Sequence, residues 1–145
     1  MSIETWKKEF LPSLKNAKTW TDKKCFQHVA KKYEGISPKN LRKHQVKMRK
    51  GARYLSYLTL YEDVLSVDEC ALCIKYHKPY TTNECKGCPL YRAEIGCMEP
   101  EETSLYRKVR ALQKPILMVL QMEQMIEQCD KNGKWRKPRG SDIEG

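Results

Sequence analysis

The chain has 145 residues, 40% apolar and 32% charged, a balance that excludes an intrinsically disordered protein and allows one core of modest size. Its net charge of +10 points to a polyanionic partner, because each Lys or Arg brought to a phosphate releases condensed counterions. No apolar run of about 18 residues is present to span a bilayer, and the first residues lack the basic-then-apolar order of a secretory signal, so residence in the cytoplasm without a membrane partner is expected.

Residues 1–53 read as a basic helical region. Trp6, Phe10, Leu11, Leu14 and Trp20 are its first core candidates, and Pro12 restricts the opening helix to a short one followed by a turn. A clearer helix is predicted over 22–34, with Thr21 or Asp22 as cap, Phe26, Val29, Ala30 and Tyr33 on its apolar face, a lysine-rich opposite face, and Gly35 as its stop. Ser37 then reads as an N-cap and Pro38 as the first residue of another helix, over 38–50, ended by Gly51. The pair has the outline of a helix-turn-helix, which is also the outline of helical hairpins that never touch DNA. Residues 39–53 carry Lys39, Arg42, Lys43, Lys47, Arg49, Lys50 and Arg53 without one acid, whereas 69–100 hold four charges of each sign. The positive field is therefore concentrated outside the cysteine segment.

Residues 54–67 alternate Tyr, Leu and Val on both faces, which leaves strand and helix unresolved by period; strands are favoured, as a hairpin leading into a cysteine pair. The region 54–98 reads as a zinc-binding module. Cys70 and Cys73 are followed, after eleven residues, by Cys85 and Cys88. Two residues between cysteines let one thiolate bind while the backbone turns toward the second, and two such pairs complete a tetrahedron for Zn2+. Iron in a rubredoxin-like arrangement takes the same four ligands. Cys97 or His77 could replace one of them, although Cys97 reads more readily as a small buried apolar residue. Four closed thiolates make a structural site. The His-x-Glu and Pro-Cys-x-x-Cys signature of zinc deaminases is missing, as are glycine-rich phosphate loops, the nucleophile elbow and HExxH, so a binding protein rather than an enzyme is expected.

Over 99–130, Pro100, Glu101 and Glu102 open a long helix with Leu105, Val109, Leu112, Ile116, Val119, Leu120, Met122 and Ile126 on its apolar side, kinked or divided by Pro115. That side exceeds what a small module covers, which suggests a homo-oligomer formed through this helix. Residues 131–145 read as a flexible basic tail in which Lys134, Arg136 and Lys137 surround Trp135, expected there as an exposed contact residue. Cys25 and Cys129 read as packed thiols, and His28 and His44 as partly exposed or hydrogen-bonding side chains. Tyr54, Tyr57 and Tyr61 beside the basic run suit stacking of nucleobases, or simply a core.

Two stretches, His28 to Leu41 and the Cys70, Cys73, Cys85, Cys88, Cys97 series with Pro89 and Leu90, resemble a group of uncharacterised small bacteriophage proteins. The resemblance implies a metal-binding protein acting in the cytoplasm of an infected bacterium, and carries no activity with it. The reading as a whole is an α+β fold, mainly helical: an N-terminal helical hairpin, a central cysteine-rich zinc knuckle or ribbon, a long C-terminal helix and a basic tail. Its expected role is regulatory binding of nucleic acid through Arg42, Lys43, Lys47, Arg49, Lys50, Arg53, Lys134, Arg136 and Lys137. The rival is a protein that binds and inhibits a host protein.

Overall fold

A computed structural model describes residues 3–44, 70–76, 87–96, 103–105, 108–109 and 114–137. Among these residues the protein is mainly helical and has no strand, so the fold class holds in its helical part. The helix expected over 38–50 stops at Lys43, with His44 as its C-cap, and the strands expected over 54–67 lie outside the described residues.

Local signals explain the N-terminal half. In α1, Ile3–Phe10, Trp6 and Phe10 stand one turn apart and both are buried. The chain leaves this helix at Leu11 and Pro12, passes a 3-10 turn at Ala17–Thr19, and enters α2, Asp22–Gly35. Thr21 caps α2 as expected, its Oγ1 accepting from the Lys24 N–H at 3.2 Å. Pro38 begins α3, Pro38–Lys43, at a first-turn position, but the Ser37 side chain makes no cap bond. The Asn40 side chain instead donates to Glu34 O at 2.9 Å and ties the two helices together.

Gly35 matters through close approach. The Trp6 indole N–H donates to Gly35 O at 2.7 Å, and a Cβ on Gly35 would fall 2.4 Å from the Phe10 ring. Gly35→Ala is expected to lower stability by about 1–3 kcal/mol through overpacking. Urea unfolding at constant slope measures this, and an unchanged midpoint would contradict the contact.

Three further helices complete the described fold: α4, Ala71–Tyr76; α5, Pro89–Arg92; and α6, Ile116–Glu127. Pro115 does divide the C-terminal helix, since α6 starts directly after it and the Lys114 N–H turns back to Val109 O. Among the described residues the pairing of α2 with α6 is the most extensive between helices, and Met118, Val119, Met122 and Met125 of α6 are buried. Leu72 and Leu90 join the same core as Phe26, Val109 and Met122, so the cysteine-bearing segments share one apolar interior with the flanking helices.

The start of the expected tail is folded. Trp135 is only 1% exposed, correcting its expected role as a surface contact. Its backbone N–H donates to Asp22 Oδ2 at 2.9 Å, its indole N–H donates to Gln128 Oε1 at 2.9 Å, and residues 129 and 135 form an isolated bridge. Asp130 shapes the intervening turn by accepting from the N–H groups of Asn132 and Lys134. Gly133 adopts a left-handed φ of +78° against Thr21, where a Cβ would come within 2.9 Å. Burial of such an indole contributes about 4–6 kcal/mol, enough to outweigh the cations around it, whose charges remain at the surface. Residues 138–145 lie outside the described residues.

Candidate metal centre and nucleic-acid interface

Of the four predicted ligands, Cys70, Cys73 and Cys88 are described and Cys85 is not; His77 and Cys97 also lie outside the described residues. Cys70 stands immediately before α4 and Cys73 one turn along it, so their spacing places both thiols at the same end of the helix. A hydrogen bond from the Cys73 side chain holds the Cys70 thiol well below its ordinary range, against the opposing effect of burial. The Lys32 ammonium and the backbone N–H groups of Cys73 and Leu72 act in the same direction. An amide-supported thiolate of this kind is what a metal-binding knuckle needs. Cys88 occupies the position before α5, with Pro89 in its first turn. Gly87 brings that turn to α4: a Cβ there would lie 3.1 Å from the Tyr76 ring. Among the described residues, no three or more His, Cys, Asp or Glu side chains come together as a metal site. Among the described residues, Cys70 and Cys73 therefore stand together at the start of α4, and Cys88 follows Gly87 on the turn beside Tyr76.

The remaining thiols differ in kind. Cys25 is fully buried, and desolvation pushes its thiol up to about 12. Cys129 is half-buried and donates to Met125 O at 3.4 Å. Both are packed thiols, as their helical positions suggested.

Near Cys70, Lys32 escaped the sequence reading, whereas His28 is hydrogen-bonded as expected. Lys32 is 2% exposed, and His28 is buried one turn before it on the inner face of α2. Cys25, His28, Val29, Lys32 and Tyr33 follow the three- and four-residue spacing of a single helix face, which was the available signal. Treating every lysine as solvent-facing hid it.

The Pro12 carbonyl can only accept, so the 2.8 Å contact from His28 Nε2 places the proton there. Nδ1 is left buried without a hydrogen-bond partner. Desolvation lowers the His28 pKa below 6.5, the Pro12 carbonyl opposes this, and the nearby Lys32 charge reinforces it. Below about pH 6.5 the unfolded chain therefore takes up a proton that the native chain resists, and stability falls with pH. His28→Gln, which keeps a donor for Pro12, is expected to flatten the dependence of melting temperature on pH between about 7 and 5. Parallel curves for the two proteins would remove His28 as the cause. Glu9, held below its ordinary 4.5 by hydrogen bonds from His44 and Lys43, adds its loss in a separate window at lower pH.

The predicted cationic residues divide into two groups. Arg42 and Lys43 are exposed on α3, and Lys134, Arg136 and Lys137 are exposed after α6. Lys47, Arg49, Lys50 and Arg53 lie outside the described residues. Lys43 is paired with Glu9 at 2.7 Å and Arg136 with Asp130 at 3.2 Å. Among the described residues Arg42, Lys134 and Lys137 have no carboxylate partner.

The two groups are not brought together; they occupy opposite ends of α2. Asn40 fixes α3 to the C-terminal end of that helix, while the Lys23 N–H donates to Gly133 O at its N-terminal end. Exposed Lys24 and Lys31, two turns apart on the outer face, lie between them. Arg92 of α5 lies 5.0 Å over the Trp135 ring and joins the second cysteine segment to the C-terminal cations.

No protein-family model, curated protein or solved structure matches this chain. Among the described residues no helix is long and apolar enough to cross a membrane.

Proposed function

We propose that this chain is a zinc-stapled, phage-type protein that binds nucleic acid in a regulatory role. The observation that carries the reading is the row of exposed lysines along α2, which links Arg42 at one end to Lys134 at the other. A helix of this length, about 21 Å, can follow several phosphates of one strand. The cysteine pair at α4 supports a Zn2+ held by Cys70, Cys73, Cys85 and Cys88, which would join the segments flanking 77–86 and have a structural role. The resemblance to small bacteriophage proteins would imply action in the cytoplasm of an infected bacterium.

Anisotropy of a labelled single strand and a labelled duplex, at several salt concentrations, tests the reading. Joint Lys31→Gln, Lys39→Gln and Arg42→Gln substitution is expected to weaken binding about tenfold or more, irrespective of sequence, and to flatten the salt dependence. Melting temperature and metal content must stay at wild-type values. Absence of wild-type binding even at low salt would overturn the proposal.

A second reading, a modulator that binds a host protein, is favoured by Ile116 and Leu120, each 54% exposed one turn apart on α6. Capture of one bacterial protein from lysate after nuclease treatment, abolished by Leu120→Glu, would select it. A homo-oligomer through the same helix would appear instead as a concentration-dependent mass in light scattering.

A further inference from the structure

A solvent-open cavity of about 420 Å3 lies where the start of α2, the end of α4 and the 132–134 turn meet. Trp20, Thr21, Lys75, Tyr76, Asn132 and Lys134 contribute to its wall. Asp22 also borders it, but its oxygens are occupied: the Tyr76 hydroxyl donates to Oδ1, Lys75 Nζ lies 3.7 Å from the same atom, and the Trp135 N–H donates to Oδ2. The amides at the start of α2 are also engaged, Lys23 N–H with Gly133 O, Lys24 N–H with Thr21 Oγ1 and Cys25 N–H with Thr21 O. Recognition must therefore come from side chains, and Lys134 supplies an exposed ammonium without a carboxylate partner among the described residues. The volume falls within the range of small-molecule sites and is more than a lone phosphate would fill.

We propose that this cavity seats one nucleotide of a single strand, its phosphate against Lys134 and the Thr21 hydroxyl and its base along the Trp20 side. The assignment rests on the nucleic-acid reading above and locates one contact at the end of the α2 lysine row. Asn132 supplies amide donor and acceptor groups at the rim. Trp20 also supplies the readout, because Trp6 and Trp135 are each 1% exposed whereas Trp20 is half-buried.

The test uses the full chain with its metal, the dinucleotide pdTpdT as probe, and tryptophan fluorescence. Wild-type protein is expected to give a saturable change, weakened about tenfold or more by Lys134→Glu at unchanged melting temperature. The joint Lys31→Gln, Lys39→Gln and Arg42→Gln protein should bind the dinucleotide as wild type does while losing affinity for a long strand. No saturable change, or no effect of Lys134→Glu, overturns the assignment; a long strand that still binds wild type then leaves the nucleic-acid reading standing. Failure of both probes overturns both. Displacement of the dinucleotide by inorganic phosphate at equal affinity also overturns it and leaves only a simple anion site.

Discussion

Cys73→Ser is expected to reduce bound zinc from about one ion per chain to a small fraction of that, and to expose the chain to proteolysis. Serine keeps a hydroxyl donor for Cys70, so loss of metal would report loss of the thiolate ligand rather than of the hydrogen bond that supports it. The effect should extend beyond the site, because Leu72 and Leu90, on the segments that the ion would join, belong to the common core. Cys129→Ser is the control. That thiol donates to a carbonyl at a helix end, a hydroxyl can replace it, and zinc content should stay at wild-type level. Elemental analysis with limited proteolysis decides the matter. A metal-free wild-type chain that is folded and monodisperse would refute the zinc proposal, whereas stoichiometric iron would keep the site and change the ion.

The parts of the fold legible in the sequence are those fixed by neighbours along the chain. Thr21 and Pro38 mark helix starts through local hydrogen bonding and backbone preference, and the structure places the starts there; α2 does end at Gly35, but with Ile36 as a right-handed C-cap and not through a left-handed glycine. Pro115 likewise starts a new helix. Trp135 misled because the partner that buries its backbone amide, Asp22, is 113 residues away in sequence, while the cations beside it are adjacent. Adjacent charge describes where lysines point and says little about an indole between them. Lys32 misled for the converse reason: its charge suggested solvent, but its helical phase places it on the inner face near Cys70. The cysteine spacing puts Cys70 and Cys73 one turn apart, as the structure has them, yet it contained nothing about the Tyr76 ring packed against Gly87.

Asp22→Ala is expected to destabilise the fold by about 3–5 kcal/mol, a large effect for a polar side chain. Asp22 is 2% exposed and joins three segments: its own helix, α4 through Tyr76 and Lys75, and the C-terminal turn through Trp135. Alanine leaves the Tyr76 hydroxyl and the Trp135 N–H without their acceptor and removes the carboxylate beside the half-buried Lys75 ammonium. Each lost partner costs about 1–3 kcal/mol, and the charge adds to the sum. Tyr76→Phe should cost less, since it removes donor and hydroxyl together while the ring that supports Gly87 remains. Chemical unfolding of both single variants and the double variant, at constant metal content, gives the coupling between them. Hydrogen exchange at the Trp135 amide separates a local release of the C-terminal turn from a loss spread over the whole fold. A loss below about 1 kcal/mol for Asp22→Ala, with Trp135 still protected, would show that the turn is held by indole burial and the Gln128 bond alone.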